Sequence, residues 1–126
     1  MNELNVCTLE LSRKLAEAGI VLETEAVWRY DRLTDSWDLF WYENTLEDDL
    51  RIPAPNSAEL WRELPDLIGI GELRLVRIIN THETVVYYGW IDDEGIEHTE
   101  SKVYRSTNPA DALAELLIYV KGRAKG

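Results

Sequence analysis

Residues 25–43, EAVWRYDRLTDSWDLFWYE, hold two runs rich in aromatic and other strand-favouring residues, separated by polar turn formers. That pattern predicts an antiparallel hairpin. Successive side chains of a strand point to opposite faces. Ala26, Trp28 and Tyr30 therefore share a face of the first strand. On the second, Trp37, Leu39 and Trp41 share one face, and Asp38, Phe40 and Tyr42 the other. Trp37, Leu39 and Trp41 are expected to face helices, which places Phe40 and Tyr42 on the opposite side, beside the acidic segment NTLEDDL.

The flanks supply helices to cover such a surface. In TLELSRKLAEAG, Thr8 suits an N-cap, Glu10 suits the first turn, and Leu11, Leu15 and Ala18 recur at helical spacing before Gly19. In RIPAPNSAELWRELP the prolines keep the chain extended. Asn56 and Glu59 then have capping-box spacing, and Pro65 closes a short helix with Leu60, Trp61 and Leu64 on its apolar side. DLIGIG reads as a loop and ELRLVRIINT as a strand. ETVVYYGWI and IEHTESKVYR, joined by DDEG, predict a second hairpin with a central first strand and a polar edge strand. The closing helix takes Asn108 as N-cap and Pro109 as its first residue, with Leu113, Leu116, Leu117 and Val120 as its buried stripe.

The resulting order is α-β-β-α-β-β-β-α. Strands joined as hairpins exclude a regular βαβ alternation. The expected fold class is α+β, a single domain over 1–126: an antiparallel sheet of about five strands built from two hairpins plus one strand, with three helices packed mainly on one face.

Composition narrows the function classes. The 126 residues carry 24 acidic and 13 basic side chains, a formal net charge of −11. Such a field opposes direct nucleic-acid or anionic-membrane binding unless a basic patch intervenes, and the one basic cluster is KGRAK near the C-terminus. No apolar run approaches the ~20 residues of a membrane helix. The opening segment has no basic start and no long apolar core, so no signal peptide is expected and the expected location is the cytoplasm. The lone Cys7 reads as a buried structural thiol.

Catalytic patterns are sparse. His82 and His98 are the only histidines, and DDEGIEHTE gathers carboxylates beside His98 without a recognised ligand spacing. GIG is too short for a dinucleotide loop. No catalytic residue, metal site or cofactor is expected, and enzyme activity is not expected.

TLELSRKLAEAGI, IPAPNSAELWRELP and NPADALAELLIYVK, in this order, resemble the layout of small proteins encoded in bacteriophages and prophages, mostly of Firmicutes and of unassigned function. The matching segments are helix caps and core stripes, and they span roughly the whole chain. The resemblance implies an accessory protein working in the cytoplasm of an infected bacterium.

The expected function is therefore non-catalytic binding that occupies or inhibits a host protein with a basic surface, either a nucleic-acid enzyme or an anti-phage defence component. The candidate surface is Asp38, Phe40, Tyr42, Glu43, Glu47, Asp48 and Asp49, acidic residues beside two rings that, if open to solvent rather than in the core, would also attract Lys and Arg. Two alternatives stand beside it. One is a small-molecule binder for a nucleotide signal, using Arg29, Arg74, Arg77 or Arg105. The other is a homo-oligomeric structural protein, in the simplest case a homodimer, that buries its aromatic face on its own copy.

Overall fold

A computed structural model describes residues 5–125. Residues 1–4 of the opening segment and Gly126 lie outside the described residues, as do the side chains of Ala124 and Lys125 in the basic cluster. The fold is α+β with antiparallel sheets, as the sequence implies, but its strands form two sheets rather than one.

The small sheet has the order β2-β1-β3, with β1 at Ala26–Asp31, β2 at Ser36–Trp41 and β3 at Arg51–Pro53. β3 is the part of the proline-containing segment that pairs with β1. Arg51 and Ile52 face Arg29 and Trp28, while Pro53, which has no N–H, ends the strand opposite Val27. The hairpin β1–β2 runs from Ala26 opposite Trp41 to Asp31 opposite Ser36, and Asp35 takes a left-handed conformation in its turn.

The large sheet has the path β4-β5-β6-β7, with β8 also paired to β6. β6, Glu83–Ile91, is central, and its Thr84, Val86, Tyr87, Tyr88 and Gly89 are buried. The segment read as a loop, DLIGIG, contains a strand: β4, Leu67–Ile68, pairs with the start of β5, Gly71–Ile78. Gly69 makes this possible by taking φ +59° at the first position of a two-residue turn. The single edge strand predicted over 96–105 is split into β7, Glu97–Thr99, and β8, Tyr104–Ser106. Between them Ser101 Oγ accepts the Tyr88 N–H at 2.8 Å, and the Glu100 N–H donates to the Tyr88 carbonyl. A side chain thus takes one place in the ladder, and the backbone bulges there.

Three helices close one face of the large sheet. α3, Pro109–Lys125, lies across β6 and β8, while α1, Leu9–Glu17, and α2, Ser57–Glu63, pack on α3. Leu11, Leu15, Leu60, Leu64, Val86, Tyr88, Leu113, Leu116 and Leu117 form the main core. Val120, the last of the predicted stripe, is only partly buried. The caps sit where the sequence places them. Thr8 caps α1, Asn56 and Glu59 make a reciprocal capping box on α2, and Asn108 Oδ1 accepts from Ala110 N at the start of α3.

The polar residues of these caps also join the two sheets. Asn108 Nδ2 donates to the Val6 carbonyl, Thr8 N donates to Asp111, and Glu59 Oε2 accepts the Glu25 N–H. Cys7 is fully buried in this seam, with its N–H on the Pro55 carbonyl and its Sγ 3.4 Å from the Ala110 carbonyl. Burial pushes its thiol far up from the ordinary value, with Asp111 and Glu59 adding to the effect, so the neutral form is the one held.

Candidate binding surface

The inner face of the small sheet carries a second, smaller core of Val6, Ala26, Trp28 and Ala54, joined by Leu9, Trp37, Leu39 and Ile52. Trp28 Nε1 donates to the Cys7 carbonyl at 3.0 Å, which ties this core to the seam. Trp37 and Leu39 face inward as the alternation predicts, and the Arg13 guanidinium of α1 lies 5.4 Å from the Trp37 ring centroid. Trp41 departs from the expectation. It has the inward parity but is 45% exposed, because it sits at the end of edge strand β2 opposite the small Ala26.

The outer face is built of two cross-strand rows. Phe40, Val27 and Pro53 make one, and Asp38, Arg29 and Arg51 the other. Val27 is buried, and its two neighbours are half-buried. Of the two rings, Phe40 is half-buried and Tyr42 is 52% exposed, and an arginine of the protein lies against each. The Arg29 guanidinium stands 5.1 Å from the Phe40 centroid, and that of Arg51 stands 4.8 Å from the Tyr42 centroid. Arg29 also pairs with Asp49 at 3.1 Å, and Arg51 donates to Thr45 Oγ1 at 2.8 Å. A hydrogen bond from Leu46 N, reinforced by Arg29, holds the Asp49 carboxyl below its usual range.

Tyr42 leaves the strand. It begins a one-turn 3-10 helix, Tyr42–Asn44, and its N–H donates to the Glu25 carbonyl at 2.7 Å. Asp38, Phe40, Tyr42 and Asp49 are therefore gathered around two arginines. Asp38, Glu43, Glu47 and Asp48 are exposed and make no ion pair among the described residues. Arg29 and Arg51 are the members of this surface that the sequence reading missed. Arg29 could have been placed by its alternation with Trp28 and Tyr30. Arg51 could not, because its segment gives no strand signal beyond three residues.

Beside Tyr42 runs an open groove of about 530 Å³ between residues 21–24 and β3, floored by Val27 and Pro53 and bounded by Tyr42 and Arg51. A smaller cavity of about 50 Å³ adjoins it beneath α1, where Ser12, Leu15, Ala16 and Leu22 meet Pro53 and Pro55.

Other polar groups are arranged separately. In the β6–β7 hairpin, Asp92 Oδ1 accepts from the backbone of Glu94 and Ile96, and Asp92 Oδ2 lies 2.7 Å from His98 Nε2. His98 stacks on Trp90. His82 is exposed in the β5–β6 turn. Among the described residues, no three His, Cys, Asp or Glu side chains group as metal ligands. Arg74 and Arg105 face Glu72 and Glu83 in ion pairs. No described helix is long and apolar enough to cross a membrane. Comparison with family models, curated proteins and solved structures finds no match to this chain.

Proposed function

We propose that the chain is a non-catalytic accessory protein of phage type that occupies a host protein through the outer face of its small sheet and the acidic rim beyond it. The host protein would be a nucleic-acid enzyme or a defence component with a basic surface. The observation that carries the reading is the contrast within one surface. Asp49 is neutralised by Arg29, while Asp38, Glu43, Glu47 and Asp48 stay exposed without a counter-ion among the described residues. Arg29 and Arg51 already lie against Phe40 and Tyr42, and Tyr42 stays 52% exposed, so a partner's Lys and Arg meet the unpaired carboxylates first. An excess of exposed charge of one sign favours fast, salt-sensitive association. The nucleotide reading loses support from the ion pairs that engage Arg29, Arg74 and Arg105.

The test compares the tagged protein with a variant carrying Asp38→Asn, Glu43→Gln, Glu47→Gln and Asp48→Asn, each used to retain proteins from a bacterial lysate at two salt concentrations. The wild type is expected to retain a specific partner that the variant loses and that salt weakens. Equal retention by both chains, or no specific partner at either salt, would refute the proposal.

A further inference from the structure

Residues 21–24 join α1 to β1 without regular structure. Ile20 N bonds the Leu15 carbonyl, and Glu25 is held at both its N–H and its carbonyl, by Glu59 and by Tyr42 N. Between these anchors, the backbone N–H and C=O groups of residues 21–24 make no hydrogen bond among the described residues. A segment fixed at both ends with its own backbone groups free can accept another extended chain.

The ground beside it is shaped for side chains. The groove past Val27, Pro53 and Tyr42 shares Val21, Leu22 and Pro53 with the small cavity beneath α1. That cavity is several times the roughly 10–15 Å³ that one water needs. Its walls are apolar except for Ser12, which is 1% exposed and whose Oγ has no hydrogen-bond partner. An unpartnered buried hydroxyl is costly, and here it lines an otherwise apolar slot. Around the mouth, Glu23, Glu25, Glu43 and Glu63 make no ion pair among the described residues; of the two cations there, Arg51 is engaged with Tyr42 and Thr45, and Arg62 beside Glu23 and Glu63 leaves the carboxylates in excess.

We infer that this trough receives an extended peptide segment of the partner, pairing its backbone with residues 21–24 and placing an aliphatic side chain in the cavity at Ser12, with Lys or Arg on either side of that anchor facing the glutamates. The inference takes the sign of the partner's charge from the function proposed above, and it adds the site and the form of the contact. Backbone pairing supplies affinity, the slot selects an aliphatic residue, and the glutamates select basic neighbours.

Selection of short random peptides displayed against the full chain tests it. Enriched peptides should carry an aliphatic residue flanked by Lys or Arg. Made as synthetic peptides, they should shift the amide resonances of residues 21–24 and slow their hydrogen exchange. Ala16→Trp, at an exposed position on the cavity wall, should weaken binding roughly tenfold or more, about 1.4 kcal/mol. Ser12→Ala, which removes the unpartnered hydroxyl from the apolar slot, should leave the fold as stable as before or more so and should leave binding of the aliphatic anchor unchanged or tighter. The inference is overturned if no such peptide is enriched, or if the enriched peptides bind the Ala16→Trp protein undiminished. Shifts confined to residues 38–49 would also overturn it, while leaving the acidic face standing as the partner surface. Peptides that bind the trough although the lysate experiment fails would uphold the site and remove only the larger reading.

Discussion

The two sheets solve different problems. Three helices close one face of the large sheet, and its central strand buries Val86 and Tyr88 completely. Four small-core residues support the inner face of the small sheet, while on its outer face Val27 is buried and Arg29 and Arg51 lie against Phe40 and Tyr42. A fully buried leucine contributes through transfer from water and through tight packing. A ring under a guanidinium at an exposed site contributes only about 0.5–1 kcal/mol. Stability concentrates in the first region, and presentation in the second.

The largest expected effect tests the first half of that contrast. Leu116→Ala, at the centre of the main core, should cost about 2–5 kcal/mol in urea unfolding. Leu39→Ala, half-buried on the small sheet, should cost under about 2 kcal/mol. Equal losses would erase the distinction. Trp28→Phe keeps most of the apolar volume but leaves the buried Cys7 carbonyl without its donor, an expected loss of about 1–3 kcal/mol. Asn108→Ala removes a helix cap and a bond to Val6 together, for about 1–2 kcal/mol on the same measurement.

Arg29→Gln should change stability by less than about 1 kcal/mol, since its contacts are partly solvated. It should nevertheless raise the Asp49 pKa toward the ordinary value, measurable by carbon NMR of the carboxyl. The smallest effect concerns Asp111. Burial raises its folded pKa, so the unfolded chain releases this proton first. Its contribution is complete below the ordinary carboxylate value of about 4 and is lost as pH rises through the raised folded value. The stability difference between wild type and Asp111→Asn should therefore move against the wild type from acid to neutral pH. A constant difference would show that Asp111 titrates as it does in the unfolded chain.

The features that local sequence fixes were readable before the structure. Thr8, Asn56 with Glu59, and Asn108 each cap a helix because capping depends on residues three apart or fewer. The alternation in WDLFW correctly turned Trp37 and Leu39 inward. The division into two sheets was not readable, because it depends on Arg51–Pro53 pairing back to β1, and a three-residue strand ending in proline carries almost no pattern. Nor was the roofing of Phe40 and Tyr42, which brings together Arg29 and Arg51 from strands apart in sequence. Of the candidate surface, the exposed acids could be read from composition and turn chemistry. Their two arginine neighbours required the cross-strand register.

Amide hydrogen exchange on the full chain tests the division of labour most directly. Amides of Val86, Tyr88, Leu116 and Leu117 should exchange only by global unfolding. Those of Trp28 and Phe40 should exchange through a smaller opening at lower free energy, and residues 21–24 should be nearly unprotected. Protection of the small sheet equal to that of β6 and α3 would mean that the molecule unfolds as one unit and that neither region is specialised.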